Sequence, residues 1–171
     1  MAPMTGPPQI DSSVVRAAQR GNQIAVAELM DALAPYVGRV CGPIALHDGP
    51  DAAQEALIAI FKNLRSLREP GAIYGWARAI AVREAVRVAR AAARAVAAEL
   101  ADVPARGDPQ LAADVRDVLA RLTPEHRAVL VLRDLEGLDE KAASALLNVP
   151  AATVRSRLFR ARRSFRKAWL P

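Results

Sequence analysis

The sequence predicts an all-α protein of two small helical domains joined by a flexible linker, with a helix-turn-helix in the C-terminal domain. Hydrophobic residues make up 52% of the 171 residues but aromatic residues only 4%, so the cores must consist of Ala, Leu and Val, a composition that favours helices. Apolar residues recur at helical spacing through most of the chain. Residues 103–109 contain two prolines and a glycine without such periodicity, and they divide the helical segments into two groups.

Four parts are predicted along the chain. Residues 1–10, rich in Pro and Gly, form a disordered tail. Residues 11–94 form the first helical domain, 95–113 the linker, and 114–171 the helix-turn-helix domain. A length of 171 residues suits one domain or two small ones.

The first domain is predicted to contain four helices. They cover residues 14–20, 23–41 and 52–67 and a segment that begins at residue 72. Asp11, Ser12 or Ser13 can cap the first helix, because short polar side chains accept hydrogen bonds from free backbone N–H groups. Gly42–Pro50 is predicted to be a loop. Cys41 falls in the apolar pattern of the second helix and is predicted to be a core residue.

Arginines recur along the fourth helix at spacings of three to five residues. They are Arg78, Arg83, Arg87, Arg90 and Arg94. This spacing makes a basic face, which the periodicity alone explains equally well as a solvated surface or as a DNA contact.

The second domain is predicted to contain helices over residues 110–122, 125–135 and 140–147 and a last helix that begins at residue 151. Thr123-Pro124-Glu125 has the cap, proline and early acid of a helix start. Between the last two helices stands Asn148-Val149-Pro150. Asn tolerates the left-handed conformation that a sharp turn needs, and Pro favours helix entry, so these residues predict a helix-turn-helix.

The last helix has two contrasting sides. Its core-facing stripe consists of Val154, Leu158, Ala161 and Phe165. The opposite side carries Arg155, Ser156, Phe159, Arg160, Arg163 and Lys167. Such a helix offers base-edge donors from its first turns and phosphate-binding cations farther along. A solvated face or an acidic protein partner is the alternative, but the turn, the stripe and the basic face together favour DNA.

Composition also indicates which classes of function are expected and which are not. The net charge of +6 indicates a polyanionic partner. Two isolated histidines, a single cysteine and the lack of a glycine-rich loop predict no catalytic residues, no metal site and no cofactor, hence no enzyme. Residues 1–10 lack the features of a signal peptide, and no stretch approaches ~18 apolar residues, so a cytoplasmic protein without membrane insertion is expected.

Three motifs follow one another in the C-terminal segment. They are Leu-x-Pro-x-x-Arg at 122–127, Leu-Glu-Gly-Leu at 135–138, and Pro-x-x-Thr-Val-Arg-Ser-Arg-Leu-x-Arg-Ala-Arg at 150–162. This run resembles the promoter-binding domain of bacterial RNA polymerase sigma factors of the extracytoplasmic-function group. The resemblance implies that Thr153, Arg155, Ser156, Phe159, Arg160, Arg163 and Lys167 bind the minus-thirty-five element. Asn148 and Ala152 depart from the glycines that many members carry there.

The first domain resembles the core-binding domain of the same group through Asp-x-x-Gln-Glu at 51–55 and the tryptophan-containing basic helix after residue 72. By this resemblance, Asp51, Gln54 and Glu55 contact the β′ clamp helices of core RNA polymerase. Contacts to the minus-ten element are implied for Arg68, Tyr74, Arg78, Arg83, Arg87 and Arg90. Because single strands are usually held by aromatic stacking, the scarcity of aromatic residues predicts weak or promoter-selective melting.

The resulting hypothesis is a sigma factor whose partners are core polymerase, through the β′ clamp helices and the β flap, promoter DNA and an anti-sigma factor. Two alternatives remain open at this point. One is a polymerase-independent helix-turn-helix regulator, and the other is a sigma-like protein that acts through an anti-sigma partner.

Overall fold

The computed structural model describes residues 8–99 and 111–169, and every regular element in these ranges is helical, which confirms the all-α prediction. In chain order the helices are α1 (Ser12–Gln19), α2 (Gln23–Ala45), α3 (Gly49–Asn63), α4 (Ile73–Glu99), α5 (Leu111–Ala120), α6 (Pro124–Leu130), α7 (Glu140–Leu147) and α8 (Ala151–Trp169). Short 3₁₀ turns occupy Leu46–Asp48, Leu64–Ser66 and Pro70–Ala72. We call residues 8–99 the N-terminal half and residues 111–169 the C-terminal half.

Side-chain caps fix the starts of the first two helices. Asp11 Oδ1 accepts a hydrogen bond from the Ser13 amide at 2.6 Å, which selects Asp11 among the predicted caps of α1. Asn22 Oδ1 accepts from the Ala25 amide at 3.1 Å and begins α2. Each cap satisfies a backbone donor that has no partner within its own helix.

The predicted loop Gly42–Pro50 is wrong. Helix α2 continues through Pro43 to Ala45, and α3 begins at Gly49 after a single 3₁₀ turn. Ile44 and Ala45 are buried, so burial of their side chains outweighs the backbone hydrogen bond that a proline removes. The two helices also meet closely, because a Cβ added to Gly49 would lie 3.0 Å from the Cα atom of Gly42.

Helices α1 to α4 pack around one apolar core. Its largest fully buried side chains include Leu29, Leu33, Ile44 and Ile60. Helix α4 contributes mainly small residues, of which Ala77, Ala81 and Ala85 have no solvent exposure. The fourth helix therefore lies close against α2 and α3, and its arginines are placed on the remaining sides.

The C-terminal half begins within the range predicted to be linker. Helix α4 extends to Glu99 and α5 starts at Leu111, so helix enters both ends of the predicted linker 95–113. Residues 100–110 lie outside the described residues. Thr123 Oγ1 accepts from the His126 amide at 3.3 Å, with Pro124 as the first residue of α6, which confirms the predicted helix start. Helix α6 leads into a π-helical turn at Val131–Leu135.

The two halves pack against each other. Ala128, Val129 and Leu132 of the C-terminal half are fully or almost fully buried and belong to the same apolar cluster as the N-terminal core. Arg127 is only 7% exposed and donates from Nε to the Ile44 carbonyl at 2.6 Å, across the two halves. The sequence predicts two helical domains on a flexible linker. In the structure, buried side chains of both halves belong to one apolar cluster.

Candidate nucleic-acid interface

The turn between α7 and α8 has the predicted geometry. Asn148 adopts φ 52° and ψ 49°, the left-handed region, and its amide donates to the Ser144 carbonyl. The Ser144 hydroxyl donates to the Val149 carbonyl at 2.6 Å, so both backbone and side chain hold the turn. Asn is one of the few residues besides Gly that occupies this region readily, which accounts for the departure from glycine. The predicted helix-turn-helix is confirmed.

Helix α8 is held by the predicted apolar stripe. Val154 and Ala161 are fully buried and Leu158 is buried, while Phe165 is half-buried. The ring of Phe165 stacks on that of Trp169, with the ring centroids 6.0 Å apart and the planes 14° apart. This anchoring leaves the opposite side of α8 facing solvent.

We call that opposite side the recognition face. It consists of Arg155, Ser156, Phe159, Arg160, Arg163 and Lys167, all of which are exposed. Thr153, at the start of the helix, is half-buried. Phe159 is 67% exposed, so its ring is accessible on the same side as the arginines. The geometry brings all these predicted side chains together, and their contact with DNA stays a prediction.

Two arginines of α8 are already paired. Arg155 forms two hydrogen bonds with the Glu140 carboxylate, at 2.7 and 3.2 Å, and these raise the pKa of the guanidinium. Arg162 pairs in the same way with Asp134. Among the side chains that the structure describes, no carboxylate lies in salt-bridge range of Arg160, Arg163 or Lys167. On the recognition face, Arg160, Arg163 and Lys167 are therefore free to bind an anion. Arg155 can bind one only if its hydrogen bonds to Glu140 break.

A second basic surface runs along α4. We call Arg78, Arg83, Arg87 and Arg90 the basic face of α4. Arg83, Arg87 and Arg90 are exposed, and Arg87 Nε donates to Glu84 at 2.8 Å. With Arg94 and Arg157, the three exposed arginines line a cleft of about 340 Å³ between α4 and the C-terminal half. Five arginines and one acidic residue, Glu125, line this cleft, and one of the arginines, Arg87, is paired with Glu84.

Two other residues predicted to meet the minus-ten element, Tyr74 and Arg78, are not freely available. The Tyr74 hydroxyl donates to the Pro8 carbonyl at 2.6 Å, and its ring meets Tyr36 edge-on at 5.0 Å between centroids. Arg78 Nη1 lies 3.2 Å from Glu136 Oε2, with only 23% of the Arg78 side chain exposed. Arg68 is exposed in the turn before α4. The structure thus leaves Arg83, Arg87 and Arg90 exposed, although Arg87 pairs with Glu84 and Arg90 with Glu125 at 2.5 Å, and it leaves Tyr74 and Arg78 half-buried and hydrogen-bonded.

A polar surface lies on α3. Asp51, Gln54 and Glu55 are all exposed, and their spacing of three and four residues puts them on one side of the helix. The Glu55 carboxylate lies 3.8 Å from Arg87 Nη2, at the edge of salt-bridge range, so this contact leaves it accessible.

The sequence did not indicate an apolar groove in the C-terminal half. The groove has a volume of about 580 Å³, and its lining includes Val115, Leu119, Val131, Leu135, Phe165 and Trp169. Leu135 is 54% exposed and Trp169 40% exposed, so large apolar side chains meet solvent there. The helical spacing of Phe165 and Trp169, four residues apart at the end of a basic helix, was the available signal.

Within residues 8–99 and 111–169, no group of three His, Cys, Asp or Glu side chains is arranged to hold a metal ion. None of the helices there combines the length and apolar character that a bilayer crossing requires.

The chain is similar to known RNA polymerase sigma factors over most of its length. The family model described as Sigma-70, region 4 matches residues 112–165. The ECF RNA polymerase sigma-E factor of Escherichia coli (strain K12) is 31% identical over 175 residues, which cover 89% of this chain and 90% of that protein. The ECF RNA polymerase sigma factor SigE of Mycolicibacterium smegmatis is 34% identical over 132 residues, and the match spans only 51% of its length.

The fold resembles that of a solved sigma factor. The sigma factor RpoE of Bartonella quintana, in its co-crystal structure with the anti-sigma factor NepR, aligns with a TM-score of 0.64 and 18% sequence identity. The alignment covers 83% of this chain and 94% of that one. At this identity the likeness concerns the fold alone.

Proposed function

Because the chain belongs to the extracytoplasmic-function group of RNA polymerase sigma factors, we propose that it binds core RNA polymerase and directs initiation at promoters with its own minus-thirty-five and minus-ten elements. The observation that carries the proposal is the recognition face, an exposed basic surface presented by the turn at Asn148. The sigma-factor relatives favour this function over that of a polymerase-independent regulator. Acting with polymerase, the protein works in the cytoplasm.

The recognition face binds the minus-thirty-five element in the major groove. Arg155, Ser156, Phe159 and Arg160 meet base edges, and Thr153 stands at the entry of the helix. A guanidinium that donates twice to a guanine edge discriminates by ~1–3 kcal/mol. Arg163 and Lys167 lie farther along α8 and neutralise phosphates, so they add affinity and salt dependence without sequence information.

The N-terminal half, within the proposed domain 11–94, serves polymerase and the minus-ten element. Asp51, Gln54 and Glu55 form the contact to the β′ clamp helices, which their common exposure on α3 supports. The basic face of α4 follows the nontemplate strand, with Arg68 and Tyr74 beside it. Since Tyr74 is tied to Pro8 and Tyr36, base stacking there requires these contacts to loosen.

The apolar groove of the C-terminal half, within the proposed domain 114–171, binds the apolar side of a helix. Its floor of aliphatic and aromatic side chains suits the hydrophobic side of an amphipathic segment. We assign it to the β flap of core polymerase. An anti-sigma factor is the other proposed partner, because the structurally similar RpoE is bound by one.

Run-off transcription tests the function directly. Purified core RNA polymerase without the chain is expected to start no specific transcript on any template. Once the chain is added, the polymerase is expected to start a discrete transcript from the region upstream of this protein's own gene. Matched reactions with the unrelated upstream region of a housekeeping gene should give no product. If the chain binds no polymerase, or binds it and starts no RNA from any template, the proposal is wrong.

The polymerase contact has its own test. Replacing Gln54 and Glu55 together by alanine is expected to weaken core binding at least about tenfold, since polar interface residues of this kind contribute ~1–2 kcal/mol when truncated. Affinity is measured by titrating labelled chain with core polymerase. The matched control is the double variant Gln23→Ala and Glu28→Ala, which changes the same residue types at exposed positions of α2. Unchanged affinity of the Gln54/Glu55 variant would remove the assignment.

A further inference from the structure

Glu140, the first residue of α7, holds the guanidinium of Arg155 in one orientation. Its carboxylate accepts from Arg155 Nε at 3.2 Å and from Nη2 at 2.7 Å, so each carboxylate oxygen takes one of two neighbouring N–H donors. These hydrogen bonds and the negative charge of Glu140 raise the pKa of Arg155. Because Arg155 lies on α8, the pair connects the two helices of the helix-turn-helix.

The bonds to Glu140 use only part of what Arg155 can donate. A guanidinium carries five N–H donors in a fixed plane, and this pairing takes one from Nε and one from Nη2. Nη1 makes no hydrogen bond to the residues that the structure describes, and 74% of the Arg155 side chain is exposed. The free end of the group, formed by Nη1 and the second hydrogen of Nη2, can therefore donate twice to O6 and N7 of a guanine.

The same carboxylate makes Arg155 a poor phosphate ligand. Glu140 cancels most of the positive charge of the guanidinium, and a DNA phosphate would meet this second negative group beside it. A phosphate can bind only after the bonds to Glu140 break, whereas an uncharged guanine edge needs only the free end. Arg160 and Arg163 have no such carboxylate among the described side chains, so they attract phosphates more strongly.

Both members of the pair stand on anchored backbone. Asp139 caps α7 by accepting from the Ala142 amide at 2.7 Å, which fixes the position where Glu140 begins the helix. Val154, the neighbour of Arg155, is fully buried, and Arg155 lies in the first turns of α8, where a recognition helix meets base edges. An exposed ion pair adds little to stability. The pair therefore acts on the orientation of Arg155 more than on the fold.

We propose that Glu140 is a positioning residue that determines specificity: it presents the free end of Arg155 to a guanine of the minus-thirty-five element and keeps that arginine off the phosphates. The inference rests on the proposed function of the recognition face. Without Glu140, Arg155 still reaches DNA but divides its contacts between bases and phosphates. Loss of Glu140 lowers sequence discrimination while it strengthens attraction to DNA of any sequence.

The chain offers a matched control for this role. Asp134 accepts from Nε of Arg162 at 3.2 Å and from its Nη2, the same two nitrogen atoms that Arg155 gives to Glu140. Arg162 also lies on α8, but it is not part of the recognition face. Asp134→Ala consequently removes the same kind of ion pair from the same helix. It frees a cation for phosphates and leaves the orientation of Arg155 unchanged.

The test uses the full chain bound to core RNA polymerase. The probes are labelled duplexes of the region upstream of this protein's own gene, in which each base pair of the minus-thirty-five element, located from the transcript start, is replaced singly. Affinities are measured at several salt concentrations. Arg155→Ala identifies the position at which a preference for guanine depends on that arginine.

At this position Glu140→Ala should reduce the preference for guanine about three- to fivefold, the range in which an exposed pair acts. The slope of log affinity against log salt should become steeper by about one unit, because a freed arginine adds about one phosphate contact. Asp134→Ala should steepen the slope similarly while every base preference stays within about twofold of wild type, since Arg162 reads no base.

An unchanged preference in Glu140→Ala overturns the inference, and so does an equal loss at every position, which a general weakening of the helix-turn-helix would cause. The absence of any guanine preference that depends on Arg155 overturns it as well. If Glu140 only stabilised the start of α7, its removal would lower the unfolding midpoint without changing base preference. Wild type that starts no transcript contradicts the proposed function instead, whereas transcription with an unchanged preference in Glu140→Ala leaves that function standing.

Discussion

Replacing Arg155 and Arg160 together by alanine is expected to abolish promoter-specific transcription while polymerase binding stays near that of wild type. Both side chains lie exposed on the recognition face, and neither contributes to the buried stripe of α8. Two guanidinium contacts to base edges are together worth about 2–6 kcal/mol, so affinity for the minus-thirty-five element should fall by up to about four orders of magnitude. Run-off transcript yield and core polymerase affinity are measured side by side.

The control for this experiment keeps the charge change constant. Arg16→Ala with Arg20→Ala also removes two exposed arginines, but from α1 and its C-cap, near the opposite end of the chain. If transcription depended only on net charge, both double variants would lose it equally. If the Arg155/Arg160 variant lost polymerase binding and transcription to the same extent, the division of labour between the two halves would be contradicted.

The features that the sequence predicted well depend on residues close together in the chain. The left-handed turn needs only Asn148 and its neighbours, and the stripe of α8 follows from the helical repeat that places Val154, Leu158 and Ala161 on one side. The turn and the stripe are determined by residues that are neighbours in the chain. Tertiary packing in the structure is consistent with these local preferences, so the prediction holds. The recognition face could accordingly be identified residue by residue.

Features that the sequence did not predict depend on distant contacts. The Tyr36 hydroxyl meets Glu136 across 100 residues of chain, and no periodicity links those positions. Similarly, the continuation of α2 through Pro43 depends on burial of Ile44 against the rest of the bundle, which overrides the local preference of proline. The availability of Arg78 and Tyr74 could not be judged from helical spacing, because their partners come from other segments.

Arg127→Ala is expected to destabilise the fold by about 2–4 kcal/mol, because three carbonyl acceptors lose a charged donor in a buried site. Besides the Ile44 carbonyl, the guanidinium donates to those of Leu122 at 2.7 Å and Leu119 at 3.3 Å. These carbonyls come from α2, from α5 and from the turn before α6, so one side chain joins three segments. Burial lowers the pKa of Arg127, yet an arginine remains charged at neutral pH.

Urea denaturation followed by circular dichroism measures this effect as a lower midpoint. Arg121→Ala, which removes an exposed arginine of the same segment, should stay within about 0.5 kcal/mol of wild type. Arg127→Lys should recover only part of the loss, because an ammonium cannot span three acceptors that a planar guanidinium reaches together. Wild-type stability in Arg127→Ala would mean that the motif arginine acts through a partner outside this chain, since its bonds within the chain would then be dispensable.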